Sequence, residues 1–319
     1  MPSQVSASPF SKLTIPYPKN RVELAQWFGS EEGCLKYLDS LRWDGGFVCP
    51  RCGGHDAWHL KAGQRRCKDC RYRASVTAGT IFNATRKPLT AWFEAIWHVC
   101  GQKNGGSALA LQHAIGLGSY HTSWAWLHRM RRAMVVPGRS LLSGEIEVDE
   151  TFIGGVKPGV RGRGAAGKSL VLIAAEIRGT SIGRIRLQVT PDATAVTLLD
   201  AVAELAEPGS DIVTDGWASY AGLPKRGFNH TVSRATPVMG SNLLPHVHRI
   251  ASLLKRWLLG THQGAVSHEL LQHYLDEFVF RFNRRYSGSR GLIFRRLIEQ
   301  AIAHPPVVKR ALRAGASIP

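Results

Sequence analysis

The chain has 319 residues, long enough to bury full cores in two or three domains. Its 41 Lys and Arg against 23 Asp and Glu leave a formal charge of +18, which points to a polyanionic partner bound through phosphate neutralisation. A hydrophobic content of 44% with nine Trp excludes a disordered basic tail, no apolar run reaches the ~18 residues of a membrane span, and residues 1–13 lack the apolar stretch of a secretory signal.

Residues 1–48 read as a helical lead-in, because Val22, Leu24, Ala25 and Phe28, then Leu35, Leu38 and Leu41, recur at helical spacing. Residues 49–75 follow with few apolar side chains, so they need a staple to fold. Cys49-Pro50-Arg51-Cys52 and Cys67-Lys68-Asp69-Cys70 enclose 14 residues and supply it. Two such knuckles place four thiolates tetrahedrally around zinc and leave no open position for catalysis. His55 and His59 lie between the pairs, but the cysteines Cys49, Cys52, Cys67 and Cys70 already complete the shell. Arg51, Arg65, Arg66, Lys68, Arg71 and Arg73 charge this zinc ribbon for DNA contact. Cys34 and Cys100 stand alone and read as buried apolar fillers.

Residues 76–138 predict three helices. Trp92, Phe93, Ile96, Trp97 and Cys100 form the apolar face of the first. Ser107 caps a short second one, and Ser119 or Thr122 caps a third over 124–134. Glycine-rich turns at 104–106 and 116–118 join them, which suits a helix-turn-helix-like DNA-binding region. Arg129, Arg131 and Arg132 close the third helix and are the expected base-reading or phosphate-contacting cations.

After Pro137-Gly138-Arg139 the pattern becomes that of an α/β domain over 139–305. Strands are expected at 145–152, 170–177, 182–189 and 212–215, with a helix at 195–206 between the last two. The glycine-rich segment 154–164 carries Lys157, Arg161 and Arg163 and reads as a phosphate-contacting loop. Helices are expected at 244–259, 268–284 and 290–303, before a tail at 306–319. Arg281, Arg284 and Arg285, with Arg290, Arg295 and Arg296, are expected to grip a DNA backbone. Trp257 and Phe282 read as core side chains.

Two acids end apolar strands: Asp149 in Ile146-Glu147-Val148-Asp149-Glu150-Thr151 and Asp215 in Ile212-Val213-Thr214-Asp215-Gly216-Trp217. Carboxylates at buried strand tips need a counter-charge, and two from neighbouring strands can hold a divalent metal between them. Side chains alternate along a strand, so Glu150 points away from Asp149. His248 and Lys255 stand seven apart, two helical turns, and face the same way. His248 is therefore a candidate third ligand and Lys255 a candidate phosphate contact. Glu269, Asp276 and Glu277 are the alternative third ligands.

With the zinc ribbon, Val148-Asp149-Glu150-Thr151, Thr214-Asp215-Gly216-Trp217, Lys255-Arg256-Trp257-Leu258-Leu259-Gly260-Thr261-His262 and Tyr274-Leu275-Asp276-Glu277-Phe278 through Arg281-Phe282-Asn283-Arg284-Arg285, the chain resembles bacterial DDE-class transposases of the insertion-sequence 1595 family. The resemblance spans most of residues 20–300. It implies a ribonuclease-H-like mixed sheet with helices and metal-dependent DNA cleavage and strand transfer at terminal inverted repeats. It also implies structural Zn²⁺, catalytic Mg²⁺ or Mn²⁺, double-stranded DNA as partner, a homo-oligomer on DNA, and a cytoplasmic, nucleoid-associated location. By position, Asp149 and Asp215 match the first two acids, and Lys255 matches the basic residue seven places after the third. His248 thus stands where the family carries a glutamate, and the site loses one negative charge. Imidazole is a weaker ligand for Mg²⁺ than carboxylate and tolerates Mn²⁺ better. Two other readings remain open, a structure-selective nuclease and a catalytically inactive DNA-binding regulator.

Overall fold

The computed structural model describes residues 15–307 apart from 62, 137, 155–167, 234–242 and 265. Among these, residues up to Arg139 and from Ser287 onward form one compact unit, and Ser140–Tyr286 form a second.

The first unit opens with α1 (Arg21–Phe28) and α2 (Glu31–Arg42), whose first turns are capped by the side chains of Asn20 and Ser30. Three short antiparallel strands follow, β1 (Ala57–His59), β2 (Gln64–Cys67) and β3 (Arg73–Ser75). Then come α3 (Leu89–Gly101), α4 (Ala108–Ile115) and α5 (Tyr120–Ala133). The expected Ser107 cap is present, its Oγ accepting from Ala110 N at 3.1 Å, and Gly116 ends α4 in the left-handed region.

The second unit contains β4 (Glu145–Ile153), β5 (Ser169–Arg178), β6 (Ser181–Thr190), α6 (Ala195–Leu205), β7 (Asp211–Thr214), β8 (Asn229–Val232), α7 (Pro245–His262) and α8 (Leu271–Phe282). The sheet order is β6-β5-β4-β7-β8. The strand β5 runs antiparallel to both β4 and β6, while β7 and β8 run parallel to β4. This is a mixed sheet with helices, as the strand pattern predicted, in the ribonuclease-H-like form that the resemblance implies. Leu198, Ala201, Val202 and Leu205 of α6 cover one face over Ile146, Val148, Leu172 and Ile212. Glu147 and Asp149 alternate to the other face, where α7 lies. The strand β8 is absent from the sequence reading: its four residues, Asn-His-Thr-Val, sit at the sheet edge and are mostly exposed, so they lack an apolar repeat.

A buried carboxylate locks the β5–β6 hairpin. Glu176 accepts from the backbone N–H of Ser143 at 3.1 Å and of Arg184 at 3.1 Å, and its carboxylate is clasped by the Arg184 guanidinium. Burial alone raises its pKa, but those donors and the guanidinium charge outweigh it and hold the carboxyl below its ordinary 4.5. The folded chain therefore binds fewer protons at this group than the unfolded chain does. Its stabilisation is complete above pH 4.5 and is lost as pH falls through the lower folded value. Urea titrations between neutral pH and pH 3 should show that Glu176→Gln loses less stability on acidification than the wild type does. Equal losses would remove Glu176 as a source of acid sensitivity.

The last helix is α9 (Arg290–Ala303), which the sequence expectation grouped with residues 139–305. It belongs to the first unit. Phe294 is fully buried against the rings of Phe28, Phe93 and Trp97, at centroid distances of 6.0, 5.8 and 5.5 Å. Any Cβ at Gly291 would lie 1.7 Å from the carbonyl oxygen of Pro18, so only glycine allows that approach. Phe294→Ala should cost roughly 3–5 kcal/mol of unfolding free energy, as large-to-small core changes do, measured by chemical denaturation of the full chain.

Candidate functional site

In the ribbon, Cys49 and Cys70 Sγ lie 3.6 Å apart, as do Cys52 and Cys67, and all four sulfurs fall within 4.8 Å of one another. Tetrahedral thiolates at a Zn–S distance of about 2.3 Å would lie ~3.8 Å apart, so the donor set fits zinc. The knuckles are built alike. Gly53 N–H donates to the Cys49 carbonyl and Arg71 N–H to that of Cys67, and both residues have positive φ (76° and 61°). His55 and His59 stand outside this cluster, as the cysteine count requires. Of the ribbon cations, Arg65 is removed from the expected DNA face: it bonds Asp39 and covers the Trp43 ring at 4.5 Å. Arg51, Lys68, Arg71 and Arg73 are exposed. Cys34 is fully buried, as expected of a filler, and burial pushes its thiol pKa up to about 12.

In the second unit, the parallel register Glu145↔Asp211, Ile146↔Ile212 and Glu147↔Val213, continued by two places, sets Asp149 beside Asp215. Adjacent strands lie about 4.8 Å apart, so the two expected acids are neighbours. Asp215 follows the last residue of β7 as expected, whereas Asp149 lies mid-strand and not at the expected tip, because β4 continues to Ile153. The turn after β7 fixes Asp215. Thr214 is buried, with Oγ1 accepting from Gly216 N at 3.2 Å, and Asp215 Oδ1 accepts from Trp217 N at 3.0 Å. Gly216 has φ of +84°, and a Cβ there would sit 2.6 Å from Val232 Cγ1.

The helix α7 brings His248 to the same place. Its Nε2 lies 3.1 Å from Asp149 Oδ2, while Asp149 Oδ1 accepts the Glu150 N–H at 2.9 Å. A depression of about 330 Å³ holds Asp149, His248, Ser252 and Lys255, so the seven-residue spacing does put His248 and Lys255 on one wall. Glu150 turns its carboxylate to the opposite face of β4 and accepts from the Tyr220 hydroxyl at 2.8 Å. Burial raises the Asp149 pKa above the usual carboxylate range. The charges of Glu150 and Asp215 push the same way, against the Glu150 N–H and His248. Among the described residues, only the four cysteines bring three or more ligand atoms within 4.8 Å of one another. Asp149 and His248 are paired, and Asp215 faces its own turn.

The alternative third ligands lie elsewhere. Asp276 and Glu277 are buried on α8, where Gln272 donates to Asp276 at 2.9 Å and Arg281 to Glu277 at 2.9 Å. This helix packs on β6, two strands from β4. Glu269 lies in the single turn before α8.

Two family models match the chain. One is described as the ISXO2-like transposase domain and matches residues 141–283; the other, the transposase zinc-ribbon domain, matches 29–73. The chain belongs to the insertion-sequence 1595 transposase family. A relative from Halobacterium salinarum, an uncharacterized protein in transposable element ISH50, is 29% identical over 282 residues, covering 80% of this chain and 91% of its own. Among solved structures, the catalytic core domain of BIV integrase is similar at 18% identity and a TM-score of 0.32, covering 47% of this chain and 89% of that one. A simian T-cell lymphotropic virus intasome is similar at 15% identity and a TM-score of 0.31, covering 62% and 74%.

Several cations that the sequence assigned to the transposase's DNA surface have internal partners instead. Arg131 is only 2% exposed, inside the first unit. Arg129 donates to the Val307 carbonyl at 3.1 Å, and burial lowers its pKa. Arg132 is half-buried. Arg281 holds the buried Glu277, and Arg284 lies 3.9 Å from the Phe280 ring centroid. Arg285 donates to the carbonyls of Ile182, Gly183 and Phe282. Arg295 and Arg296 both bond Glu299. A run of arginines on a helix looks the same in sequence whether it faces solvent or satisfies buried carbonyls and acids. Lys157, Arg161 and Arg163 lie outside the described residues. Trp257 packs on Phe278 at 5.7 Å and Phe282 stacks on the same ring, but both are only half-buried, at the edge of the core and not inside it as expected. Among the described residues no helix is long and apolar enough to cross a membrane.

Proposed function

We propose that this transposase binds the terminal inverted repeats of its own element, cleaves DNA at their ends and joins the freed 3′-hydroxyl to a target phosphodiester. The observation that carries the reading is the meeting of Asp149, His248 and Lys255 in one depression, with Asp215 in register on the next strand. Asp149, Asp215 and His248 are the side chains that would hold divalent cations, Mg²⁺ or Mn²⁺. Such a cation supplies Lewis-acid stabilisation and makes a hydroxyl nucleophilic at neutral pH. Burial, with the charges of Glu150 and Asp215 adding to it, keeps the Asp149 pKa raised, and a bound cation would offset both by favouring the ionised carboxylate. Lys255 is exposed at the mouth and contacts a phosphate there. The exposed ribbon cations Arg51, Lys68, Arg71 and Arg73 neutralise duplex backbone. Assembly on two DNA ends calls for at least two subunits, and the protein works in the cytoplasm at the nucleoid.

The test incubates the full chain with a duplex bearing the element's end, a plasmid target and Mg²⁺ or Mn²⁺. Joined products are expected. Hydrolysis without joining would make the protein a nuclease, and binding without either would make it a regulator. His248 adds a second expectation. Imidazole favours transition ions over Mg²⁺, so the wild type should work better with Mn²⁺, and His248→Glu should narrow that preference. An unchanged Mn²⁺ to Mg²⁺ activity ratio in the variant would exclude His248 as a ligand.

A further inference from the structure

Glu147 is a buried acid, 6% exposed, that the proposed chemistry leaves unused. It stands two residues before Asp149 on the same face of β4. Its Oε2 accepts the backbone N–H groups of His246 at 2.9 Å and Val247 at 3.0 Å. Its Oε1 lies 2.5 Å from His246 Nδ1.

These are the first-turn donors of α7, which this helix cannot satisfy locally. Its N-cap residue is Leu244, which makes no side-chain cap bond, and Pro245 opens the helix without an N–H. The capping carboxylate comes instead from a strand 99 positions earlier in the chain. The result is two rungs between the same two elements, Glu147 to His246 and Asp149 to His248. The first rung is buried and multiply bonded; the second is half-exposed and has one bond of 3.1 Å.

We infer that Glu147 is a positioning residue: by capping α7 from β4 it fixes the height and rotation of that helix, and so the distances of His248 and Lys255 from Asp149. This inference rests on the function proposed above. It also gives the Ile-Glu-Val-Asp segment a division of labour, with one acid holding the helix and the next facing the cation.

Reach and charge can be separated at this position. Glu147→Gln keeps the length and one carbonyl oxygen for the two backbone donors but loses the charge. Glu147→Asp keeps the charge but is one carbon too short, so it must pull α7 or release it. The readouts are calorimetric Mn²⁺ binding to the full chain without DNA, kcat and KM for an end duplex, and thermal unfolding. Partners that orient ligands typically change metal affinity or activity by about 10–100-fold. Glu147→Asp should therefore weaken Mn²⁺ binding and lower kcat by about tenfold or more, with KM for DNA unchanged, and Glu147→Gln should restore most of both.

A wild-type-like Asp variant, or a Gln variant as impaired as the Asp one, overturns the inference. So does a loss of thermal stability with Mn²⁺ affinity intact, which would mark a purely structural cap. If Glu147→Asp fails to fold, Glu147→Gln decides alone, since a tenfold loss there refutes positioning by reach. A wild type that binds Mn²⁺ but neither nicks nor joins DNA would refute the proposed function, and the Mn²⁺ titrations would still judge Glu147.

Discussion

Replacing Asp149 or Asp215 by Asn is expected to suppress end cleavage and joining by roughly 10³-fold or more, while duplex binding persists. Cation clamping of a phosphodiester supplies several kcal/mol of transition-state stabilisation, and each ~1.36 kcal/mol lost is a factor of ten in rate. The amide keeps the shape of each side chain but removes the charge that would hold the cation. At Asp149 the loss should even relieve strain in the resting protein. Burial raises the pKa of this half-buried carboxyl, and the charges of Glu150 and Asp215 add to that. Asp149→Asn is therefore expected to melt no lower than the wild type while failing to cleave. Cleavage by either variant at the wild-type rate would dismiss the carboxylate pair as the reaction centre.

Removing zinc is expected to unfold the ribbon outright. The strands β1, β2 and β3 have only three, four and three residues, and Cys67 and Ala74 are their buried members. Such a sheet has no core of its own to survive on. Structural zinc contributes on the order of 10–16 kcal/mol of apparent binding energy in small zinc domains, which here is folding energy. Thiol modification of the purified chain should release one zinc, and amide-hydrogen protection over residues 64–75 should vanish. Cys67→Ser should do the same without reagent. A ribbon that stays protected with no metal present would overturn this account.

The two aspartates were legible in the sequence because each follows a short apolar run, but only Asp215 stands at a strand end: β4 continues to Ile153, so Asp149 lies mid-strand. The zinc cluster was legible from spacing alone. Other features depend on partners remote in the chain. Arg131 and Arg281 look like surface cations until their neighbours are known. The role of Glu147 is visible only once Pro245 and Leu244 are seen to leave α7 without a local cap. The short strand β8 carries no apolar repeat. The placement of α9 was missed for a different reason: its periodicity predicts a helix at 290–303 but says nothing of which aromatic surface receives Phe294.

That last helix has a consequence for synthesis on the ribosome. The aromatic cluster around Phe28 and Phe93 is translated early, yet Phe294 arrives only after all of Ser140–Tyr286 has been made. At about 5–20 residues per second, the nascent amino-terminal half waits on the order of ten seconds with a greasy socket open. A gene truncated after residue 140 would leave that socket open permanently, so a stable minimal version of the amino-terminal unit must be stitched to residues 287–307 by a linker.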